Sequence, residues 1–273
     1  MQFVHDTSVS MQKLWQEFAF DHATVPVLKR RYRISESTVH RRLDEYEPPQ
    51  HKPLPRAMVA VADATHIGGS WMLVVRDPHA GENVYFREVS SESTSDYQMA
   101  RSELETQGFT FLALVGDGRM ALPWAFWGIP FQMCHFHMEQ IVIRYVTLSP
   151  NLSAGVELLA LIKTLSKTDG ESFTDAFKLW CRTWKEFLQE KTLNPETGRK
   201  TYTHRRLRSA RDSMQRHLPF LFTFEKYPDL NIPNTTNSLD GFFKKVKMAV
   251  GIHSGLTHTR KLKLITTLLL PPA

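Results

Sequence analysis

Cysteine is scarce in this 273-residue chain, which contains only Cys134 and Cys181. Two cysteines cannot build a disulfide framework, so we expect a reducing compartment. The N-terminal stretch lacks the charged-then-apolar layout of a signal peptide, and no apolar run approaches the roughly 18 residues that a membrane helix needs. These absences predict a cytoplasmic protein with no membrane partner. The sequence also lacks internal repeats and low-complexity tracts.

Charge and hydrophobicity are close to those of an ordinary globular protein. Hydrophobic residues make up 42% of the chain and charged residues 23%, which suits one sizeable core with a small additional domain. The formal net charge is +6. This modest excess favours a polyanionic partner without establishing one, because many basic proteins bind nothing anionic.

The pattern of apolar residues divides the chain into a helical front end, a core of strands and helices, and a long helical segment. Residues 11–46 have a helical pattern, and the proline-rich stretch 48–55 is typical of a stiff linker. Three apolar runs with glycine and proline turns between them predict a strand meander. We expect strands within 58–62, 71–75, 83–86, 111–115 and 131–134, and helices within 93–106, 138–146, 151–228 and 238–250.

The front end contains two short helices joined by a tight turn. Pro26 lies near the start of the first helix, Arg33 and Ile34 make the turn, and Ser35 caps a second helix over 36–46. The pattern predicts a helix-turn-helix DNA-binding domain; the alternative is a helical hairpin with a solvated basic face. The second helix offers side chains suited to phosphates and base edges, namely Ser37, Thr38, His40, Arg41 and Arg42.

Two aspartates follow predicted strands. Asp63 ends the first strand, and Asp117 follows the fourth within the sequence VGDG. Strands one and four can lie side by side in a mixed sheet, which would bring the two carboxylates together at one edge. Neighbouring carboxylates repel one another unless a divalent cation such as Mg²⁺ lies between them. The alternative is that both are ordinary turn residues at strand ends.

A third acidic candidate lies in the last predicted helix. A polar cap places Asp240 in the first turn of this helix, where the helix dipole favours an acid whatever its function. Asp240 and Lys244 share one helix face by their spacing. If the helix lies across the sheet, Asp240 can meet the two strand-end aspartates while Lys244 and Lys247 face DNA.

A cysteine and a histidine follow the fifth strand, and their role is open. Cys134 and His137 are spaced like two zinc ligands, but a complete zinc site needs a second pair. Only His253 and His258 could supply it, and their spacing is loose. The alternative is a buried thiol with a packed histidine.

The long helical segment offers two further candidates for DNA contact. Trp180 and Trp184 lie one helical turn apart and fit the core of that segment, with stacking on DNA bases as the alternative. The run 203–211 is basic throughout, so it predicts phosphate contact, although charge runs are often only solvated. Its candidate residues are Arg205, Arg206 and Arg208.

The ordered set of motifs resembles DDE transposases of bacterial insertion sequences, particularly the Mutator-like group. The similarity covers roughly residues 24–266. Its parts are the strand ending in Asp63, then VGDG, QMCHFHMEQIV, the segment from RRLRSARDSM to LPFLFTFE, IPNTTNSLDGFFKKVK and HSGL. The most specific parts are TTNSLDGFFKKVK and the Cys-x-x-His element of Cys134 and His137.

The resemblance implies an α/β protein with an RNase H-like mixed sheet flanked by helices, an N-terminal helix-turn-helix and an all-helical insertion. The implied domains are a helix-turn-helix over 1–50, the first part of the core over 57–148, the insertion over 149–230 and the last catalytic helix over 231–266.

The resemblance also implies a chemistry and its partners. Two divalent metals, Mg²⁺ or Mn²⁺, would be held by Asp63, Asp117 and Asp240, while Cys134 and His137 order the site. The implied activity is metal-dependent DNA cleavage and strand transfer. Its partners would be terminal inverted repeats and target DNA, bound by a homodimer or larger assembly, which would be nucleoid-associated when bound.

One position departs from the family pattern, because the family has Glu where this chain has Asp240. The shorter side chain must lie closer to a metal or bind it through water. Two alternatives therefore stay open: a non-catalytic DNA-binding protein derived from a transposase, and an RNase H-like nuclease that cuts without joining. A helix-turn-helix regulator with a ligand-binding domain is a third, and it needs a small-molecule pocket in place of an acid cluster. No zinc ribbon precedes the helix pair, as expected of a shortened copy.

Overall fold

The computed structural model describes residues 9–48, 52–193 and 195–270. The helices in these ranges are α1 (Met11–Ala19), α2 (Val25–Tyr32), α3 (Glu36–Glu45), α4 (Thr94–Thr106), α5 (Ala121–Ala125), α6 (His135–Val146), α7 (Ser153–Ile162), α8 (Gly170–Thr183), α9 (Lys185–Gln189), α10 (Arg205–Leu221), α11 (Thr223–Lys226), α12 (Asn237–Ile252) and α13 (His258–Leu269). The strands are β1 (Ala57–Ile67), β2 (Ser70–Asp77), β3 (Glu82–Val89), β4 (Thr110–Gly116), β5 (Phe131–Met133), β6 (Lys191–Leu193) and β7 (Lys200–Tyr202). None of the described helices is long and apolar enough to cross a membrane.

Five strands form one mixed sheet in the order β3-β2-β1-β4-β5. β2 and β3 pair antiparallel, whereas β4 and β5 pair parallel with Gly116 opposite Met133. The central strands consist of apolar and β-branched residues, and successive residues are buried because both faces of the sheet are covered. The predicted neighbours, strands one and four, are confirmed. The fold is α/β with a mixed sheet flanked by helices, and it is compatible with an RNase H-like core.

The chain divides into two compact units, and β1 contributes to both. The first unit comprises residues 1–56, 62–110 and 237–273, and the second comprises 57–61 and 111–236.

In the first unit, the helices at the front end form as their capping residues predict. The Ser35 side chain accepts a hydrogen bond from the Thr38 N–H at 3.1 Å, and Pro26 lies in the first turn of α2. Arg33 takes the left-handed conformation with φ 52°, which ends α2. Parts of the predicted front domain and linker, residues 1–8 and 49–51, lie outside the described residues.

Two cations of α13 hold the C-terminal end of α3. The buried Arg260 guanidinium donates to both Asp44 carboxylate oxygens, at 2.8 and 2.7 Å, and holds the pKa of that carboxyl below its usual range. The Lys263 ammonium donates to the carbonyls of Leu43, Asp44 and Tyr46 at 3.1, 2.6 and 2.6 Å. A cation placed at these carbonyls also opposes the negative end of the helix dipole. The front helices are therefore anchored to α13.

The second unit is built around α10, which packs on α6, α8 and β5. Trp180 of α8 is buried, and its Nε1 donates to the Ala154 carbonyl at 3.0 Å. Trp184 is half-buried and its Nε1 donates to the Glu157 carboxylate at 2.7 Å. These contacts favour the structural interpretation of this tryptophan pair over DNA stacking.

The prediction of an all-helical segment over 149–230 is wrong in one respect. β6 and β7 form an antiparallel hairpin in which Lys191 is opposite Tyr202. Each strand has three mainly exposed residues, so the alternation that marks a half-buried strand has no room to develop. The hairpin is held by its own backbone pairing and by cations over the Tyr202 ring, with Arg208 at 3.5 Å from the ring centroid.

Candidate metal centre

Asp63 lies within β1, which continues past its apolar run to Ile67, so the prediction that Asp63 ends the first strand is wrong. Residues 58–62 are buried, whereas Asp63 is half-buried. Its Oδ1 accepts a hydrogen bond from the Ala64 N–H at 2.8 Å. Because the preceding residues belong to the core, the position of this carboxylate is set by the sheet and not by a loop.

Asp117 follows β4 in a turn that requires glycine at its next position. Gly118 has φ +88°, and a Cβ added there would collide with the Met133 side chain. Asp117 Oδ1 accepts the Arg119 N–H at 2.9 Å, and its Oδ2 lies 3.3 Å from Arg119 Nε. The turn therefore orients the carboxylate while leaving it half-buried.

Glu92 is a third carboxylate that the sequence reasoning missed. It lies between β3 and α4, immediately before Ser93, which caps α4 by accepting the Asp96 N–H. Its Oε1 accepts a hydrogen bond from the hydroxyl of the buried Tyr97 at 2.9 Å. The one local signal was that Glu92 directly precedes the serine that caps a helix, and many acidic residues without a metal-binding role occupy such a position.

One carboxylate oxygen from each of Asp63, Glu92 and Asp117 lies within 4.8 Å of the other two, and we call these residues the acidic cluster. Three half-buried carboxylates at this distance repel one another, and a divalent cation relieves that repulsion. Mg²⁺ and Mn²⁺ prefer oxygen ligands with access to water, and two oxygens on one Mg²⁺ are at most about 4.2 Å apart. Small side-chain movements would meet that limit, so the acidic cluster could bind a metal ion.

Asp240 lies in the first turn of α12, which begins at Asn237. It lines a surface pocket of about 390 Å³ together with Asp63 and Thr65 of β1 and Phe243, Lys244, Lys247 and Met248 of α12. Lys247 Nζ donates to the Thr65 hydroxyl at 2.7 Å. Among the described residues, Asp240 is not a member of the acidic cluster. The structure thus brings it to the same pocket as Asp63, and its role as a metal ligand stays a prediction.

Cys134 and His137 lie where β5 passes into α6. The Cys134 N–H donates to the Gly116 carbonyl at 2.8 Å, next to Asp117 in the chain. The Thr236 N–H and hydroxyl each lie 3.3 Å from Cys134 Sγ, and the same hydroxyl is 3.4 Å from His137 Nδ1. Burial raises the pKa of the Cys134 thiol, but hydrogen bonds with His137 and Thr236 outweigh it, so the pKa is below its usual value. This fixed group can order the end of β4.

The zinc alternative receives no support from the described part of the chain. The acidic cluster is the one group of three or more metal-ligating side chains found there. His253 packs on the Phe18 ring with centroids 4.0 Å apart, and His258 lies 3.5 Å from Glu88. Both histidines therefore have other roles.

The candidate DNA-contacting residues of α3 differ in how far they are engaged within the protein. His40 Nδ1 lies 2.7 Å from the Arg260 guanidinium, and Arg42 donates to the Val9 carbonyl at 3.0 Å. Arg41 is exposed and pairs with Glu45 at 3.1 Å, which is a weak surface pair. The side chains of Ser37 and Thr38 hydrogen-bond with the Ser35 hydroxyl.

The basic residues at the start of α10 are also partly engaged. Arg206 donates to the Arg144 carbonyl at 2.5 Å, and Arg208 donates to the Leu188 carbonyl at 2.8 Å. Arg205 is exposed. Packing thus uses two of these three guanidinium groups, and their contact with phosphate stays a prediction.

No protein-family model matches this chain, and no curated protein matches it at a significant level.

Proposed function

We propose that the protein is a metal-dependent transposase that cuts DNA at the ends of an insertion sequence and joins the cut strand to target DNA. The acidic cluster on the mixed sheet is the observation that carries this proposal. Divalent metal bound there, as two Mg²⁺ or Mn²⁺ ions by the resemblance, would lower the pKa of a water and neutralise charge on the leaving oxygen. The resemblance to DDE transposases supplies the strand-joining step, in which a freed 3′-hydroxyl attacks target DNA.

The pocket shared by Asp63 and Asp240 supports a role in binding the DNA backbone. Lys244 is exposed at its rim, and Lys247 is held in place by the Thr65 hydroxyl. A phosphodiester carries one negative charge, so two cations beside the carboxylates would attract a strand that the carboxylates alone repel. Asp240 would then be available to the metal, directly or through water.

We assign recognition of the DNA sequence to α2 and α3, which would act as a helix-turn-helix. The anchoring of α3 by Arg260 and Lys263 would present a rigid helix to a groove. Ser37 and Arg41 are the best candidates for base or phosphate contact, since both are exposed. Two transposon ends must be held together during joining, so we infer that the protein acts as a homodimer or larger assembly on DNA.

A second candidate function follows from the membership of the acidic cluster. Glu92 completes the cluster without Asp240, so Asp63, Glu92 and Asp117 alone could hold the metal of a nuclease that cuts without joining. The two candidates differ in the importance of Asp240. A nuclease of this kind tolerates loss of the Asp240 carboxylate, whereas the transposase needs it.

The decisive experiment measures nicking and joining of supercoiled plasmid that carries the DNA flanking the coding region. The wild type is compared with Asp63→Asn and Glu92→Gln, with Mg²⁺, Mn²⁺ or EDTA. We expect cleavage that requires metal and falls on the order of 10³-fold in both variants, because a ligand of the reacting centre is lost. Asp229→Asn, a change of an exposed aspartate outside the cluster, is the matched control and should cleave like the wild type. Equal cleavage by the wild type and Asp63→Asn would refute the metal assignment.

Two further arms use the same preparations. Calorimetric titration with Mn²⁺ should show binding by the wild type and weaker binding by Asp63→Asn, whether or not the DNA substrate is the right one. Asp240→Asn then separates the candidates: loss of both cutting and joining supports the transposase, whereas a wild type that does not join and an Asp240→Asn variant that cuts equally well support the nuclease.

A matched pair of variants tests the DNA-reading helices. Arg41→Ala and Arg101→Ala each break an i,i+4 pair with Glu at the surface of a helix, Glu45 on α3 and Glu105 on α4. Arg41→Ala should weaken duplex binding and reduce its salt dependence, whereas Arg101→Ala should not. Equal binding by both variants and the wild type would rule out this role of α3.

A further inference from the structure

Trp124 of α5 and Trp127, two residues after that helix ends, are strongly exposed and stacked on each other. Trp124 is 58% exposed and Trp127 is 73% exposed, whereas the other four tryptophans are buried or half-buried. The ring centroids are 5.7 Å apart and the ring planes differ by 14°. Large aromatic side chains are usually well buried, so a stacked pair left in water indicates a surface kept for binding.

The backbone around this pair is fixed. Gly128 makes a turn with φ +87°, and the Ile129 N–H donates to the Phe126 carbonyl at 3.0 Å. Phe126 is buried, so it ties the turn to the core. Little ordering is therefore needed when a ligand stacks on the indoles, which favours tight binding.

The pair forms one wall of a groove of about 450 Å³. The other walls include Met120, Ile129, Phe220, Lys226 and Tyr227, and none of the residues that line the groove is acidic. A groove of this size takes one nucleotide with room to spare, while it is small for a protein segment. Aromatic rings with a neighbouring cation and no anion are complementary to a nucleobase attached to its phosphate.

The groove is also close in the chain to the acidic cluster. Met120 follows Asp117 by three residues, which span at most about 10 Å of backbone. A DNA strand with a phosphate near Asp117 would have a neighbouring base within reach of the groove.

We propose that the groove of Trp124 and Trp127 stacks an unpaired base of single-stranded DNA. The proposal rests on the proposed action on DNA, and it adds a site that neither the metal nor the front helices provide. Stacking is indifferent to base identity, because every base has an aromatic face, so the groove recognises an unpaired end and not a sequence. Trp127 is the more exposed of the two rings and contributes most.

The test measures binding of a fluorescent single-stranded oligonucleotide to the full chain in EDTA, where cleavage cannot occur. Trp127→Ala should weaken single-strand binding about 5- to 150-fold, the range found for the loss of one stacked base. Trp127→Phe should retain most of the affinity. An oligonucleotide without bases should bind the wild type and Trp127→Ala equally. The matched control is Leu179→Ala, which removes an exposed apolar side chain of α8 and should bind like the wild type.

The outcomes separate this proposal from the proposed function. Trp127-dependent single-strand binding without any cleavage in Mg²⁺ would leave the groove intact and defeat the nuclease and transposase assignments. Metal-dependent cleavage with equal single-strand binding by the wild type and Trp127→Ala would overturn the groove alone. If Trp127→Ala instead changes the oligomeric state in sedimentation without changing single-strand affinity, the groove is an interface between copies of the chain and the proposal is overturned.

Discussion

Two regions gather polar groups: the acidic cluster and a buried set around β5 and the end of α10, which we call the seam and which comprises Gln132, His135, Leu221 and Thr223. The two regions differ in the partners of their polar groups. In the seam, Gln132 Nε2 donates to the Leu221 carbonyl at 2.7 Å, and His135 Nε2 donates to the same carbonyl at 2.5 Å. The Thr223 hydroxyl donates to the Phe131 carbonyl at 2.7 Å. In the acidic cluster, carboxylates of one sign face one another and remain open to water.

The two arrangements contribute differently to the stability of the fold and to activity. The buried hydrogen bonds of the seam stabilise the fold, since an unsatisfied buried group costs more than the bond itself contributes. The acidic cluster opposes folding, because like charges are brought together. Substitutions in the cluster should therefore change activity without loss of stability, and substitutions in the seam should do the reverse.

The largest expected effect belongs to Asp117→Asn. Cleavage should fall on the order of 10³-fold, whereas the Tm should stay unchanged or rise, because one of three like charges is removed. The lost pair with Arg119 lies at the surface and contributes little. Thermal unfolding and plasmid nicking on the same preparation check both parts. A clear drop in Tm would show that Asp117 belongs to the scaffold instead.

The second prediction concerns Gln132→Leu in the seam. The change leaves the half-buried Phe224 N–H without the Gln132 side-chain acceptor and removes a donor from the Leu221 carbonyl. It should cost about 2 to 3 kcal/mol of stability and lower the Tm by roughly 5 to 10 °C. Cleavage per folded molecule should persist. Gln215→Leu on the exposed face of α10 is the control and should leave the Tm nearly unchanged.

The smallest effect is the pH dependence of stability from His135. Burial lowers the pKa of His135, which packs against Phe222 and Phe224. The unfolded chain takes up a proton near the ordinary pKa of about 6.5 while the folded chain resists it, so stability present above that pH is lost as the pH falls. Tm measured from about pH 7.5 to about pH 5 should fall, and less steeply in His135→Gln. Parallel curves for the two proteins would contradict this origin; His253, whose pKa burial also lowers, adds the same trend to both.

Much of the site could be predicted because local rules specify it. An apolar run that ends in aspartate predicted the place of Asp63 and Asp117 at neighbouring strands, and Ser35 predicted the start of α3. Glu92 could not be predicted as a site residue, because nothing in the neighbouring sequence relates it to β1 or β4. The exposed pair of Trp124 and Trp127 could not be predicted either. An apolar residue is expected in the core, and only the packing of the whole core decides which apolar residues stay exposed.

The sequence by itself determined the places of the five strands of the main sheet and of most helices, because caps, turns and apolar periodicity act over a few residues. Only the tertiary structure decided which acids meet, which arginines are used in packing and which tryptophans remain in water. Those outcomes depend on strand order and on competition for buried space among residues far apart in the chain. No local sequence pattern specifies strand order or the outcome of that competition.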